Sequence, residues 1–331
     1  MAATGVPWVD VHAHPGRCFL AGLDAADPTA AALGCADIAR ALADARAAGM
    51  AAVTLSTVAD LQVLAPDPAK GLAAARPFRP GEAAADHRRQ LAGIRQAAAA
   101  AGAPIATTAA EIERAHAAGR TAVLIGCEGG DFLDGSIEPL TEARAAGAVI
   151  LTLVHYRVNE IGDVQTELPA HGGLTPFGRR VVAECNRLRL LIDCAHATFQ
   201  TTLDVLAVSS QPVLVSHSHL DHADRHHARL LTDEHALAVA RSGGLIGAWP
   251  SGVTSGSLAD FAGEVARLAD LVGPGHVGIG TDLDGNYRPV LRDYSDYAAL
   301  PPLLAARGMD DPEISKIMGG NVLDLLRRVA G

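Results

Sequence analysis

The sequence has no excess of basic residues, no CxxC pair, no low-complexity polar tract and no long uncharged apolar run. Each lack closes off a class of protein. Lys and Arg total 27 against 37 Asp and Glu, a formal net charge of −10, so the electrostatic footprint of a nucleic-acid binder is missing. The five cysteines (Cys18, Cys35, Cys127, Cys185, Cys194) are odd in number and unpaired in spacing, which fits reduced thiols rather than a disulfide framework or a thiolate zinc site. Uncharged stretches are short, as in Ala145–Tyr156, or rich in Gly, Ser and Thr, as in Ser242–Ala259, and support no membrane span. Met1–Pro7 carries neither a basic n-region nor an apolar h-region, so the expectation is a cytoplasmic protein. What is present is 49% hydrophobic and 19% charged residues, the balance of a folded globular chain that acts on a small molecule. A mean hydropathy of +0.19 suits a homo-oligomer interface and a dense core equally.

Eight short apolar runs alternate with longer segments of helical periodicity: Trp8–His12, Ala51–Ser56, Ala122–Cys127, Val149–Val154, Leu190–Cys194, Val213–Ser216, Gly244–Trp249 and His276–Gly280. Segments such as Pro176–Leu188 and Leu258–Val272 have the composition of helices packed on a parallel sheet. Thr108-Ala-Ala-Glu111 reads as a capping box, Thr232 before Asp233 and Glu234 as a helix start, and Gly49, Gly119, Gly147 and Gly273 as C-caps. Ala65–Ala83 reads as a long loop. Length alone suggests two domains, but with no linker the expectation is a single (β/α)₈ TIM-like barrel over residues 1–331.

Chemistry collects at the C-terminal ends of these runs, the face where barrel active sites are built. The first run ends Asp10-Val-His12-Ala-His14, whose spacing of two puts both imidazoles on one side of an extended chain. The third run leads to Glu128, the fourth to His155, the fifth to His196, the sixth to His217 and the eighth to Asp282. A lone HxH pair is a weak signal, but the further strand ends make a structural coincidence harder to sustain. Imidazole and carboxylate donors without thiolate suit zinc or a related divalent ion, and their number suggests two ions with Glu128 able to bridge.

The segments Glu128-Gly-Gly, His171-Gly-Gly-Leu-Thr-Pro-Phe-Gly, Leu191-Ile-Asp-Cys-Ala-His196, Val215-Ser-His217-Ser, Gly280-Thr-Asp282-Leu-Asp284-Gly and Gly319-Gly-Asn-Val-Leu resemble the membrane dipeptidase (renal dipeptidase, peptidase M19) family of the amidohydrolase superfamily, from about Asp10 to Val329. The resemblance implies a barrel of the metal-dependent hydrolase type, two zinc ions per chain, and hydrolysis of dipeptides, some with a D-residue on the C-terminal side, by a metal-bridging hydroxide. It implies that His12 and His14 hold the first zinc, His196 and His217 the second, and Glu128 bridges. Asp282 would handle the proton, His155 would polarise the substrate, and Arg229 would bind its carboxylate, with Arg225 as a neighbouring alternative.

The family has HxD where this chain has His12-Ala-His14, which leaves the metal pair one charge unit more positive and opens a second reading, an amidohydrolase for another amide, lactam or ester. A non-catalytic metal-binding barrel is a third, disfavoured by Asp282. His219, His222, His226, His227 and His235 are expected to be solvated loop residues. His171 and Asp284 are read as shaping their turns, and Asp10 and Asp193 as orienting neighbours.

Overall fold

A computed structural model describes residues 7–24, 27–67, 71–224 and 226–331. Each of the eight apolar runs becomes a strand of one closed parallel barrel. The barrel strands are β1 (Trp8–Asp10), β2 (Met50–Val58), β5 (Ala122–Glu128), β6 (Ala148–Thr152), β7 (Leu191–Asp193), β8 (Leu214–Ser218), β9 (Leu245–Ala248) and β10 (Val277–Ile279). Their order round the ring is β1-β10-β9-β8-β7-β6-β5-β2. The register aligns Val58, Glu128, Thr152 and Asp193 across four adjacent strands, which sets one carboxylate level at the mouth. Val, Ile, Leu and Ala dominate the strands because both faces are covered, one by the barrel interior and the other by helices.

The helices follow their sequence signals. Thr108 and Glu111 form both bonds of the capping box of Ala109–Ala117, and the Thr232 hydroxyl caps Asp233–Arg241. Pro176–Leu188 and Leu258–Val272 keep the predicted bounds. At the N-terminal end, helix Asn321–Ala330 packs Val322, Leu325, Leu326 and Val329 onto a buried cluster with Val9, Leu124 and Leu214, and Asn321 donates to the carbonyls of Pro274 and Val277. The strongly apolar face of that helix seals the closed end and leaves the other for chemistry.

Ala65–Ala83 is not all loop. Leu64–Asp67 (β3) and Gly71–Ala74 (β4) pair as an antiparallel ribbon outside the barrel, and helix Glu82–Ala100 follows. Pro66 and the flanking glycine and proline signals read as a loop because they break every longer periodicity, yet tertiary packing supports the short ribbon. The helix then ties down the end of β2: the Gln90 side chain accepts from the Val58 N–H at 2.8 Å and donates to the Val58 carbonyl at 2.9 Å. Four cysteines are buried and Cys35 is exposed; none is in a disulfide.

Candidate active site

Five predicted donors meet at the barrel mouth. His12 Nε2 lies 3.2 Å from Glu128 Oε1, His14 Nε2 3.2 Å from Oε2, His196 Nε2 3.3 Å and His217 Nε2 3.6 Å from Oε1. They form two overlapping trios, His12–His14–Glu128 and Glu128–His196–His217, and within each trio the ligand atoms lie within 4.8 Å of one another. All five residues are buried.

The residues behind them fix which nitrogen faces the cavity. The single Ser216 hydroxyl proton goes to Asp193 Oδ2 at 2.7 Å, so His217 Nδ1–H donates to Ser216 Oγ at 2.9 Å and its Nε2 keeps a lone pair. His14 Nδ1 donates to the Ser56 carbonyl at 3.1 Å. Asp193 also receives the Thr152 hydroxyl and the N–H groups of Ala195 and Ser216, which ties β7 to both β6 and β8, and Asp10 receives Thr281 and Tyr294, which ties β1 to the segment after β10, at the level of the donors.

This donor set fits divalent metal. His196 Nε2 and His217 Nε2 stand only 3.0 Å apart, and His12 Nε2 is buried without a hydrogen-bond partner among the described residues. A cation shared with Glu128 would satisfy these nitrogens together, and imidazole with carboxylate matches zinc-type chemistry. Burial holds His196 and His217 well below the ordinary imidazole range, which keeps them in the neutral, ligating form. Burial pushes Glu128 up, but the charges of His155 and His12 and the close approach of the His12 and His14 rings outweigh it, so Glu128 sits well below the usual carboxylate range.

Asp282 lies 3.5 Å from His14 Nε2 and 4.0 Å from His12 Nε2, and its other oxygen accepts from Trp249 Nε1 at 3.1 Å. Burial raises its affinity for a proton against the opposing pull of the two histidines. His196 and Asp282 both adopt left-handed backbone, φ 66° and 52°, a strained conformation for non-glycine residues that aims them into the mouth. Gly285 is required beside them, because a Cβ there would come within 2.6 Å of His14 Cδ2 and 2.7 Å of Asp282 Oδ1.

His155 presents Nε2 3.5 Å from Glu128 Oε2 and is held from behind by Asp60, whose Oδ1 is 2.6 Å from Nδ1 and whose Oδ2 accepts the Tyr156 N–H at 3.1 Å. Burial lowers the imidazole's proton affinity, but the Asp60 and Glu128 charges more than restore it. Neither Asp60 nor Trp249 is a site residue in the sequence reading, where Trp249 only ends the seventh run. Asp60 follows the second run and Trp249 ends the seventh, the two runs that offer no candidate of their own.

Arg229 is buried in the same cavity, with its guanidinium 5.5 Å from the Trp249 ring centroid. It donates to Gln165 Oε1 at 2.7 Å and to the His217 carbonyl at 3.4 Å, while its buried Nε has no partner among the described residues. Burial lowers its proton affinity, the mark of a cation short of compensating charge. The alternative, Arg225, lies outside the described residues. Asp284 bonds the Gly16 N–H at 2.7 Å, and His171 Nε2 donates to the Asn159 carbonyl at 3.1 Å.

The solvated-loop expectation for the other histidines is corrected. His219 is fully buried, and His235 is buried on its helix with Nε2 2.9 Å from Thr202 Oγ1; His222 is half-buried against Glu264, and only His226 and His227 are exposed. Leu220 and Leu231 form a bridge that folds this loop back against the barrel, which spacing along the chain does not reveal.

The fold is a closed parallel (β/α)₈ barrel that gathers imidazole and carboxylate donors at its mouth. Residues 3–331 match the model of the membrane dipeptidase family (peptidase family M19), and the chain belongs to that family. It is 34% identical over 221 residues to dipeptidase aclJ of Aspergillus oryzae, covering 64% of this chain and 52% of that protein, and 32% identical over 231 residues to dipeptidase verJ of Clonostachys rogersoniana, covering 68% and 60%. The chain thus spans between half and three fifths of the length of these relatives. A metallo peptidase from Rhodobacter sphaeroides, liganded with a phosphinate mimic of the dipeptide L-Ala-D-Ala, superposes with a TM-score of 0.78 at 23% identity over 98% of this chain and 99% of that one, which establishes the fold. No helix among the described residues is long and apolar enough to cross a membrane.

Proposed function

We propose that this protein is a zinc-dependent dipeptidase that cleaves the amide bond of a dipeptide, with a D-residue accepted on the C-terminal side, at a centre for two metal ions. The observation that carries this is the pair of donor trios sharing Glu128. His12 and His14 with Glu128 would hold one ion, and His196 and His217 with Glu128 the other. Bound there, the ions supply a water acidic enough to be a nucleophile at neutral pH and polarise the scissile carbonyl.

The protein's own groups do the rest. Asp282, with one oxygen braced by Trp249, accepts the proton of the attacking water and returns it to the leaving amine. His155, backed by Asp60, donates from Nε2 to the carbonyl oxygen as charge develops there. Arg229 pairs through its free Nε and terminal nitrogens with the substrate carboxylate, which restricts the site to short peptides.

His14, where the family has aspartate, favours one second reading, the same chemistry on another amide, lactam or ester. A barrel that only binds metal has no use for a proton-holding carboxylate beside the donors. We also propose that residues 1–331 act as one catalytic domain, and that five unpaired cysteines place it in a reducing compartment such as the cytoplasm. The test is metal analysis with hydrolysis of a dipeptide panel of varied stereochemistry. Two zinc ions per chain and turnover of free dipeptides are expected; a chain that takes up no zinc, or that cleaves only lactams or esters, overturns the dipeptidase reading.

A further inference from the structure

The donors open into a cavity of about 530 Å³ whose two sides differ in chemistry. Its lining includes Arg229 and Trp249, which follow the neighbouring strands β8 and β9, and Leu33, Leu61, Leu64, Pro66 and Leu72, which follow the neighbouring strands β1 and β2. Four places separate β8 from β2 in either direction round the ring of eight, so Arg229, after β8, lies across the mouth from Leu61 and the β3–β4 ribbon, after β2. The donor trios lie between. A dipeptide whose carboxylate is on Arg229 and whose amide is at the donors therefore directs its N-terminal residue toward β2.

The surface waiting there is apolar and backed by packing. Phe19, Leu20 and Val58 form a small buried cluster separate from the main core, and Leu61 rests on it. Leu33 is 39% exposed and Leu61, Leu64 and Leu72 are half-buried, which leaves apolar area that a ligand would cover. Asp60 and Gln62 flank Leu61 and both are engaged: Asp60 holds His155 Nδ1 and the Tyr156 N–H, and Gln62 Nε2 donates to Asp86 Oδ1 at 3.2 Å. Asp284 lies after β10 and is bonded to Gly16. A charged side chain placed against the wall would lose water to a lining made mainly of leucine, in which Thr29 and Gln62 supply only uncharged polar groups.

We propose that the enzyme selects dipeptides whose N-terminal residue carries a bulky apolar side chain, seated on the wall of Val58, Leu61, Leu64 and Leu72 with Phe19 behind it. The proposal rests on the dipeptidase reading and names its substrate class. The ribbon is the specificity element, and it supplies two of the four contacts from outside the barrel.

The experiment is the kcat/KM of the zinc-loaded protein on Xaa-Ala dipeptides with L- and D-alanine, where Xaa is Ala, Leu, Phe, Asp or Lys, together with the reversed Ala-Xaa set. Leu and Phe at the first position should exceed Ala about tenfold and exceed Asp and Lys about a hundredfold or more. In Leu64→Asp, and in the milder Leu72→Ser, the ratio of Leu to Ala should fall toward one. Dipeptides cleaved with Asp or Lys equal to Leu, a preference seen only in the Ala-Xaa set, or a ratio unchanged in both folded variants would each overturn this inference and leave the dipeptidase reading standing. Should the zinc-loaded protein cleave none of the dipeptides, both would fall together.

Discussion

Two sets of buried histidines occupy this molecule under nearly the same burial and with different consequences. At the mouth, His12, His14, His155, His196 and His217 turn ring nitrogens toward carboxylates and toward one another. At the periphery, His87 meets the Thr57 hydroxyl at 3.1 Å and stacks on Phe132, His235 meets the Thr202 hydroxyl and stacks on Phe199, and His219 has no partner on either nitrogen among the described residues and stands edge-on to Phe261. Burial pushes all three peripheral rings down, His87 and His219 to about 3 and His235 to about 4. A buried imidazole becomes a ligand where other donors converge on the same point, and elsewhere it is a neutral, weakly polar piece of core.

The largest test of that division removes one histidine from each set. His196→Ala or His217→Ala should lower zinc from two to one per chain and abolish turnover while the fold persists, because the trio of His12, His14 and Glu128 still holds one ion. His219→Leu should keep both ions and its activity. Elemental analysis after zinc reconstitution decides, and equal metal loss in the peripheral variant would erase the distinction.

Within the mouth, holding metal and moving protons are separable. Asp282→Asn should lower kcat by about 10²–10⁴ with zinc content kept, the range for a general acid–base group. Near-normal turnover would transfer the proton to another residue. Arg229→Met should weaken kcat/KM by about 2–5 kcal/mol on free dipeptides, as for one partner of a buried charge pair. The loss should be much smaller on C-terminally amidated substrates, and equal losses on both would remove the carboxylate from its role.

Most of the barrel was legible because each strand carries its own apolar run and several helices, such as Ala109–Ala117, Pro176–Leu188 and Asp233–Arg241, their own cap, signals confined to about a dozen neighbouring residues. The mouth donors were legible because a barrel gathers every strand end at one place, so a residue's rank along its strand stands in for its position in space. The rest depended on tertiary contact. Nothing local marks Leu64–Asp67 as a strand, since its partner and its support lie outside its own segment. His219 and His235 sit in a histidine-rich stretch whose composition reads as solvated, and they are buried by the return of the chain against helices Phe199–Val208 and Leu258–Val272. Asp60 escaped notice because its importance lies in the ring of His155, 95 residues away.

The smallest effect probes the peripheral set alone, through stability. His219 has a pKa of about 3 when folded against an ordinary 6.5, so the unfolded chain binds its proton more readily than the native protein does. Its neutral form is free of penalty above pH 6.5, and as pH falls through that value toward 3 the native state loses about 1.4 kcal/mol per unit for this one group. Asp10 and Asp131, both raised to about 6 chiefly by burial, act in the opposite sense, so the wild-type pH profile alone is a poor witness. They are common to both proteins and cancel in a difference. The unfolding free energy of His219→Leu minus that of wild type, measured by urea titration under identical zinc, should therefore rise by about 2 kcal/mol between pH 7 and pH 5. The offset at pH 7 reflects packing of leucine against Phe261 and can take either sign; the slope carries the test. A flat difference would mean that His219 meets water or a proton acceptor in the native protein, and the peripheral histidines would then differ from the mouth set in solvation as well as in partners.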